Sequence, residues 1–526
     1  MKFKLRQIFA SGRIRFLALS LSLLVAVTAI YWKIFGYPFI YDDWGILNSI
    51  IYHDPIAYLG SAFSPLGKIF YRPLGSLYFE IAYFLFKLNP AGFHAVAFLL
   101  HYCNSLLAVS IVRHVSKNLF FAWIAGFLYA AAITVHMEPL LWMAGFYDVG
   151  GSFFLLSSML LFLRGRKLFS ALTFFLGILT KEAVVVLPAV LLFAVPFMQG
   201  NQEPRPSSLK SLFSKIWMHV SFLTIYLVLK GLGRSPLTLP DNDELKISFA
   251  GSHIFGNLER YAQWAAGSIL PVKESFMGNI AFTIILVLIG AISVILWRVD
   301  YSARDDTVKA HRLKLLLFWG NWFILGLLPV LFLKHHIARY FFVYSLLPFL
   351  VLGSNWIWRL FSLLRCKRSL ALSALIVLVF LNVGFSSLYF LEKDREGKRI
   401  QGTYNLIYKA ALTNDVRSFL LKEYPELPRG AILVFYGLDT KYFSQSAGPQ
   451  IWYNDTSLSV YQGRPAETDS TGTYFLTSPG SANPRDKVYL DRGNVFVIVL
   501  YDGRLEKYDF PAYNDASSHS INRRGD

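Results

Sequence analysis

The sequence predicts an all-α polytopic membrane protein of about eleven transmembrane helices, followed by a small α+β domain. Three observations lead to this prediction. Of the 526 residues, 55% are hydrophobic and only 16% are charged. Apolar runs long enough to cross a bilayer recur through the first three quarters of the chain. After about residue 391 the composition changes to that of a soluble domain.

The formal net charge of +18 is explained by membrane topology rather than by nucleic-acid binding. The lysines and arginines cluster in short gaps between apolar runs, as they do in cytoplasmic loops. Most acidic residues near the runs fall on the opposite side. Only Cys103 and Cys366 are present, so the sequence supports neither a disulfide framework nor a thiolate metal site.

The first apolar run, from about 16 to 35, follows five basic residues in the charge order of a signal peptide. The run is too long for one, and no small-residue cleavage site is evident before Tyr37-Pro38. We therefore predict an uncleaved first span, a cytoplasmic N-terminus, and a multi-pass protein of the cell (inner) membrane.

Ten further spans are predicted from the remaining apolar runs, some of them short for a full crossing. They are 92–112, 119–136, 148–163, 168–180, 183–198, 213–230, 279–297, 314–333, 340–358 and 369–390. An odd number of crossings places the C-terminal domain outside, in the periplasm of a bacterium. If the two short runs around Lys181 were one long helix, every later loop would change sides.

We place the transmembrane domain at 1–390, with long outer loops at 37–91 and 231–278. The first loop suggests short interfacial helices, and the second an amphipathic helix through Tyr261 and Trp264. The α+β extracytoplasmic domain covers 391–513, and a disordered tail covers 514–526. In that domain we predict a helix at 403–423, strands at 431–436, 457–461, 473–476 and 494–501, and a hairpin turn at Asp502-Gly503 into 504–508.

Two adjacent carboxylates, Asp42 and Asp43, follow the first span, where a membrane helix emerges into water. Because a lipid-facing carboxylate costs roughly 3 kcal/mol, ionisable residues at this boundary suggest function. A solvated loop start is the simpler explanation for one lone Asp. Other polar residues predicted at similar depth favour function: Arg72, His94, His101, His136, Glu138, Asp148, Lys181, Glu182, His335, His336 and Arg339.

Carboxylates and cations on one side of a membrane suit a transfer reaction with an anionic leaving group. A carboxylate can take the proton of an attacking hydroxyl, while Arg339 and Lys181 can stabilise a departing phosphate. Structural alternatives stay open: Lys181 could pair with Glu182 or another acid, and the histidines could form a packed polar seam. No cofactor and no metal site are predicted, although a divalent metal is not excluded.

Several short motifs occur in a fixed order between residues 37 and 350. They are Asp42-Asp43, Tyr71-Arg72-Pro73-Leu74, Phe93-His94, Leu100-His101, His136-Met137-Glu138, Trp142-Met143-Ala144-Gly145 with Asp148, Leu179-Thr180-Lys181-Glu182 and Ala338-Arg339-Tyr340. In this order they resemble the GT-C superfamily of polytopic glycosyltransferases, most closely the protein O-mannosyltransferases and the transmembrane, tetratricopeptide-containing O-mannosyltransferases with their bacterial relatives.

The resemblance implies an inverting hexosyltransferase at the outer face of the membrane. It would move a sugar from a polyprenyl-phosphate-linked donor to an acceptor hydroxyl of a protein, glycan or lipid, and nucleic acid would not be a partner. Asp42 would be the catalytic base, with Asp43 as the alternative. The implied substrate-binding residues are Arg72, His101, Glu138, Asp148, Lys181, Glu182 and Arg339. One departure is Phe146, near a position where relatives commonly carry Arg.

Two other functions remain open. A polymerase or ligase of surface polysaccharide would also use lipid-linked sugars, but from a diphosphate carrier. A lipid or sugar transporter (flippase) commonly shows internal repeats, which are not evident here. If the glycosyltransferase prediction is right, Asp42, Glu138, Lys181 and Arg339 should converge on one pocket.

Overall fold

The structure is a computed structural model, and its chain divides into two compact units. It describes residues 12–66, 70–199, 209–233, 246–269, 306–364, 367–397, 406–463, 467–469, 472–476, 487–489, 494–501 and 503–507. The first unit contains Met1–Tyr37 and Asp54–Gln401, and the second contains Pro38–His53 and Gly402–Asp526. The second unit therefore holds a piece of the predicted first outer loop together with the C-terminal domain. The predicted tail at 514–526 lies outside the described residues.

The described α-helices are numbered in chain order. They are α1 Gly12–Tyr31, α2 Asp42–Ile51, α3 Pro55–Phe63, α4 Pro73–Phe86, α5 Pro90–Ser116, α6 Leu119–Ala131, α7 Ile133–Leu141, α8 Phe146–Leu163, α9 Lys167–Thr180, α10 Leu187–Ala194, α11 Leu209–Gly231, α12 His253–Ile269, α13 Asp306–Leu331, α14 Val343–Leu363, α15 Arg368–Gly397, α16 Leu406–Glu423 and α17 Ala447–Tyr453. The second unit contains α2, α16 and α17, and the first contains the others. The predicted domain boundary at 390 falls inside α15.

Seven segments in the described part of the chain are long and apolar enough to cross a bilayer, or eight if one bent pair is a single span. They are Ile14–Gly36, Pro90–Ser116, Met143–Leu163, Lys210–Gly231, Lys309–Leu331, Arg339–Phe361, Arg368–Arg395 and the bent pair Leu119–Ala131 with Ile133–Leu141. They match eight of the eleven predicted spans. Two more are shorter apolar helices, and the span at 279–297 lies outside the described residues. The chain is a polytopic helical membrane protein, as predicted.

The two shorter apolar segments around Lys181 form an out-and-back hairpin. The first is α9, and the second, Glu182–Phe197, returns to the turn that precedes α9, where the Gln199 N–H donates to the carbonyl of Leu163, the last residue of α8, at 2.7 Å. Lys181 between them is extended (φ −148°, ψ 126°). One long helix here is therefore wrong, and Lys181 lies about 20 Å from the start of α9 at the helical rise per residue.

A helix cap, a bend and a close glycine contact shape the chain from α6 to the start of α8. Asn118 accepts the N–H groups of Phe120 and Phe121 and so begins α6. The α6–α7 pair bends by 51°. A Cβ on Gly145 would lie 2.2 Å from the Pro139 carbonyl oxygen, so only glycine permits the turn into α8.

The second unit contains two small sheets. Its strands are β1 Ile432–Tyr436, β2 Ser459–Gln462, β3 Glu467–Asp469, β4 Gly472–Leu476, β5 Lys487–Tyr489, β6 Val495–Tyr501 and β7 Arg504–Lys507. One sheet has the order β2-β1-β6-β7, with β1 parallel to both neighbours and β7 antiparallel, and the other has the order β3-β4-β5. The continuous apolar sequences of β1 and β6 fit strands buried on both faces, and Val434 and Val497 form a core between them.

The predicted α+β domain is confirmed, including its first helix and five of its strands. Helix α17 and strands β3 and β5 were not predicted. Tyr501 pairs with Arg504, which leaves two residues for the predicted hairpin turn. Gly503 has the left-handed φ of 73° that such turns favour, while Asp502 lies outside the described residues.

Helix α2 packs on α17 within the second unit. The indole rings of Trp44 and Trp452 lie 5.5 Å apart, edge to face. The Asn48 amide donates to the Gln450 side-chain oxygen at 2.9 Å, and the Tyr52 hydroxyl donates to the Gln450 carbonyl at 2.9 Å. The segment that carries Asp42 and Asp43 is thus part of this unit's core packing.

Candidate functional site

A bidentate ion pair joins the start of α4 to the tip of the helical hairpin around Lys181. Arg72 Nε donates to Glu182 Oε2 at 2.7 Å, and Arg72 Nη2 donates to Glu182 Oε1 at 2.5 Å. Arg72 precedes Pro73, which excludes the residue before it from the helix and leaves its side chain at the helix entrance. The guanidinium also lies 4.2 Å from the Phe70 ring centroid and 4.8 Å from that of Tyr147. It is therefore held in one orientation.

The Arg72–Glu182 contact shifts the ionisation of both partners. Burial disfavours the charged form of each, but the opposite charge outweighs it. As a result the pKa of the Arg72 guanidinium is raised, and the pKa of the Glu182 carboxyl is lowered to about 2. Both side chains are charged at neutral pH.

A second ion pair is buried next to the first. Lys181 Nζ lies 3.1 Å from Asp148 Oδ2, and these side chains are only 7% and 4% exposed. Asp148 is in the first turn of α8, where the helix dipole favours a negative charge. Among the described residues, the other carboxylate oxygen, Asp148 Oδ1, is buried without a hydrogen-bond partner. Such an atom calls for an explanation in a native site.

Tyr344 adds a second buried polar atom to this region. A Cβ on Gly151 would lie 2.7 Å from the Tyr344 hydroxyl oxygen and 2.9 Å from Lys181 Cβ, so the three residues meet at one point. Within the described ranges, this hydroxyl also has no hydrogen-bond partner. Sequence reasoning missed Tyr344, because it lies inside an apolar run and no motif marks it.

Aromatic rings near Arg339 and Glu138 in the sequence lie close to Lys181. Lys181 Nζ lies 5.9 Å from the Tyr340 ring centroid, and the Tyr340 ring lies 6.3 Å from that of Trp142. Arg339 precedes Tyr340, but its Nη1 donates to the Tyr389 hydroxyl at 3.3 Å. Glu138 is half-buried one helical turn before Trp142. That Arg339 and Glu138 line the same site as Lys181 stays a prediction.

His101 contacts a different group of side chains. Its Nε2 lies 3.0 Å from the Ala130 carbonyl oxygen, and its ring lies 4.3 Å from that of His136. His94, on the same face of α5, instead bridges the carbonyls of Leu140 and Tyr37. These contacts join helices, as in the polar seam that the sequence left open.

Asp42 and Asp43 lie in the second unit and differ in their surroundings. The Asp43 side chain is 1% exposed, and its Oδ2 accepts the Ile40 N–H at 3.0 Å. The Asp42 side chain is exposed in the first turn of α2. Asp43 is thus used to build the turn, whereas Asp42 faces solvent. That Asp42 meets Glu138, Lys181 and Arg339 in one pocket stays a prediction.

The described residues contain no group of three or more His, Cys, Asp or Glu side chains arranged to hold a metal ion. The structure thus brings Arg72, Asp148, Lys181 and Glu182 together. His101 instead contacts the Ala130 carbonyl and the His136 ring, and Arg339 contacts the Tyr389 hydroxyl.

Comparison with known proteins gives structural matches alone. No family model and no curated protein matches the chain. Among solved structures, it is similar to ArnT from Cupriavidus metallidurans bound to undecaprenyl phosphate, with a TM-score of 0.46, 11% identity, and coverage of 85% of this chain and 85% of that chain. It is also similar to the apo oligosaccharyltransferase of Archaeoglobus fulgidus, with a TM-score of 0.40, 12% identity, and coverage of 82% of this chain and 63% of that chain.

A further structure of the Archaeoglobus fulgidus enzyme, AglB in complex with an inhibitory peptide and a dolichol-phosphate, has a TM-score of 0.38 and 13% identity. The match covers 62% of the archaeal chain, so this chain spans less than two thirds of the length of the archaeal enzyme. At such TM-scores and identities, these similarities identify neither the reaction nor the substrate of this chain.

Proposed function

We propose that this protein is a membrane glycosyltransferase that transfers a sugar from a polyprenyl-phosphate-linked donor to an acceptor hydroxyl at the extracytoplasmic face. The observation that carries the proposal is the cluster of Arg72, Glu182, Lys181 and Asp148, in which two cations and two carboxylates from three distant segments are in contact. Its side chains suit a ligand that has both a phosphate and several hydroxyl groups.

The cations suit the phosphate of the donor. The contact with Asp148 uses one of the three N–H groups of Lys181, and the contact with Glu182 uses two of the five N–H groups of Arg72. The carboxylates hold these cations in place before any donor arrives, which is the condition for electrostatic stabilisation of a developing charge. Arg339, whose guanidinium lies 5.8 Å from the Trp264 ring centroid, would supply a third cation.

The unpartnered atoms suit the sugar. Asp148 Oδ1 is a hydrogen-bond acceptor, and the Tyr344 hydroxyl can both donate and accept. Two buried polar atoms without partners cost free energy unless a ligand or ordered water satisfies them. Hydroxyl groups of a hexose would do so, and Glu138 would border the same ligand.

In the proposed reaction, Asp42 takes the proton of the acceptor hydroxyl as the oxygen attacks the anomeric carbon. The bond from that carbon to the phosphate oxygen breaks on the opposite face, so the configuration inverts. The leaving polyprenyl phosphate changes from a diester with one negative charge to a monoester, and the cations stabilise its added charge. Asp42 is the better base than Asp43, because it is exposed while Asp43 Oδ2 accepts a backbone N–H.

The first test is sugar transfer by the purified full chain in proteoliposomes, with a panel of polyprenyl-phosphate hexoses as donors. We expect Asp42→Asn to lower kcat by at least 100-fold, because general-base catalysis contributes about 10²–10⁴-fold. Asp415→Asn is the matched control, since Asp415 is an exposed carboxylate in α16 of the same unit.

A folded Asp42→Asn protein with wild-type kcat would remove Asp42 from the base role. Transfer only from a diphosphate-linked oligosaccharide would instead favour a polymerase or ligase. Movement of lipid-linked sugar across the bilayer without any transfer would favour a transporter.

A further inference from the structure

Tyr41, the residue before Asp42, has a backbone conformation that side chains rarely adopt. Its φ is 52° and its ψ is −129°. The Asp43 N–H donates to the Ile40 carbonyl at 3.1 Å, so residues 40–43 form a hydrogen-bonded turn. Tyr41 occupies the position of this turn where a type II′ turn needs a positive φ and normally has glycine. A tyrosine there is strained.

The C-terminal domain holds Tyr41 at three points within the second unit. The Tyr41 N–H donates to the Tyr442 carbonyl at 2.9 Å, and the Ser444 hydroxyl donates to the Tyr41 carbonyl. The Lys409 ammonium donates to the Tyr41 hydroxyl. The rings of Tyr41 and Tyr442 lie 5.8 Å apart. Both backbone polar groups and the side-chain end of Tyr41 are therefore fixed.

These contacts come from well-anchored elements. Lys409 is buried on α16, and Thr413, one turn later, donates to the same Tyr442 carbonyl at 3.1 Å. Ser444 follows the 3-10 helix Thr440–Phe443, which comes after the carboxyl end of β1. In open sheets with parallel strands, that edge is where functional side chains gather.

Backbone strain of this kind persists where the surrounding structure enforces it, and it concentrates at functional sites. The strained residue here lies next to the exposed carboxylate and at the start of its helix. A relaxed Tyr41 would reorient the first turn of α2, and Asp42 with it.

We propose that Ser444 and Lys409 are positioning residues for the reaction: they hold Tyr41 in its strained conformation, and this aims the Asp42 carboxylate. The inference rests on the proposed function of Asp42 as the base. It gives the C-terminal domain a role in catalysis through geometry rather than through direct contact with substrate.

The test measures kcat and KM of the full chain in proteoliposomes for Ser444→Ala and for the double variant Tyr41→Gly/Ser444→Ala, with the donor that supports wild-type transfer. We expect Ser444→Ala to lower kcat about tenfold with KM within twofold, because a displaced base slows the chemical step. Glycine adopts the positive φ of this turn without strain, so the double variant should restore kcat to within about threefold of the wild type. Ser459→Ala, in β2 of the same unit, is the matched control.

Hydrogen exchange of the amides of residues 41–44 gives a readout that does not depend on activity. It should accelerate in Ser444→Ala and slow again in Tyr41→Gly/Ser444→Ala. Lys409→Met is the second variant if Ser444→Ala does not fold, and it should lower kcat in the same way.

The two proposals fail in different ways. If Asp42→Asn keeps full activity, the proposed base is wrong, whatever hydrogen exchange shows at Tyr41. If Asp42→Asn is inactive while Ser444→Ala and Lys409→Met keep wild-type kcat, the positioning role is overturned. Equal loss of kcat in Tyr41→Gly/Ser444→Ala and in Ser444→Ala would also overturn it.

Discussion

The two ion pairs of the cluster are chemically alike but differ in environment. Arg72 and Glu182 meet through two hydrogen bonds, and the Glu182 side chain is 37% exposed. Lys181 and Asp148 meet through one contact, and both are buried. Arg72 is 15% exposed, so water reaches the first pair mainly from the Glu182 side and the second pair hardly at all. We therefore expect the fold to depend more on the buried pair than on the pair with more hydrogen bonds.

The largest effect is expected from Asp148→Asn, which leaves the Lys181 ammonium buried without a negative partner. Breaking such a pair costs about 3–5 kcal/mol of unfolding free energy. Reversible unfolding of the purified protein in mixed micelles measures this loss.

The double variant Asp148→Leu/Lys181→Met is the control for that prediction. It removes both charges and should recover most of the stability, while sugar transfer stays low because the proposed phosphate-binding cation is absent. A double variant as unstable as Asp148→Asn would contradict the ion-pair explanation.

A smaller effect is expected from Glu182→Gln. Because solvent screens this pair, the loss should be about 1 kcal/mol, measured by the same unfolding experiment. Glu423→Gln is a close control, since Glu423 is equally exposed and pairs with Lys422 at 3.5 Å. The unfolding free energy of the Glu423→Gln variant should equal that of the wild type. If Glu182→Gln lost as much unfolding free energy as Asp148→Asn, the proposed contrast between the two pairs would be wrong.

The smallest effect is the pH dependence of the exposed pair. The pKa of Glu182 is lowered in the folded protein to about 2, so the pair's contribution is fully present above the ordinary pKa of about 4.3. It is lost as the pH falls from there towards the folded value. The stability difference between wild type and Glu182→Gln should be constant from about pH 7 to pH 5 and smaller near pH 3.5. A stability difference that stays constant from pH 7 down to pH 3.5 would show that the pKa of Glu182 is not lowered.

Hydrophobic periodicity predicted most of the architecture. The long apolar runs, the amphipathic helix His253–Ile269 and the main strands of the C-terminal domain are where the sequence indicates. The helical hairpin around Lys181 is predicted as two short spans, but one long helix is an alternative because runs of this length fit either. The choice is resolved by the bond between Gln199 and Leu163, which links residues that no local pattern connects.

The ion-pair partners within the cluster could not be predicted from residue type. The sequence allows Lys181 to pair with Glu182 or with another acid, and in the structure its partner is Asp148, while Glu182 pairs with Arg72. The difference between Asp42 and Asp43 was also not predictable, since it depends on which carboxylate the turn at Ile40 uses. Partner choice follows from tertiary packing, which a single sequence does not encode locally.

The extended backbone at Lys181 allows one hairpin tip to contact two helices. Lys181 forms an ion pair with Asp148 at the start of α8, and the next residue, Glu182, forms one with Arg72 at the entrance of α4. A single peptide bond thus connects the beginnings of two helices that are far apart in the sequence.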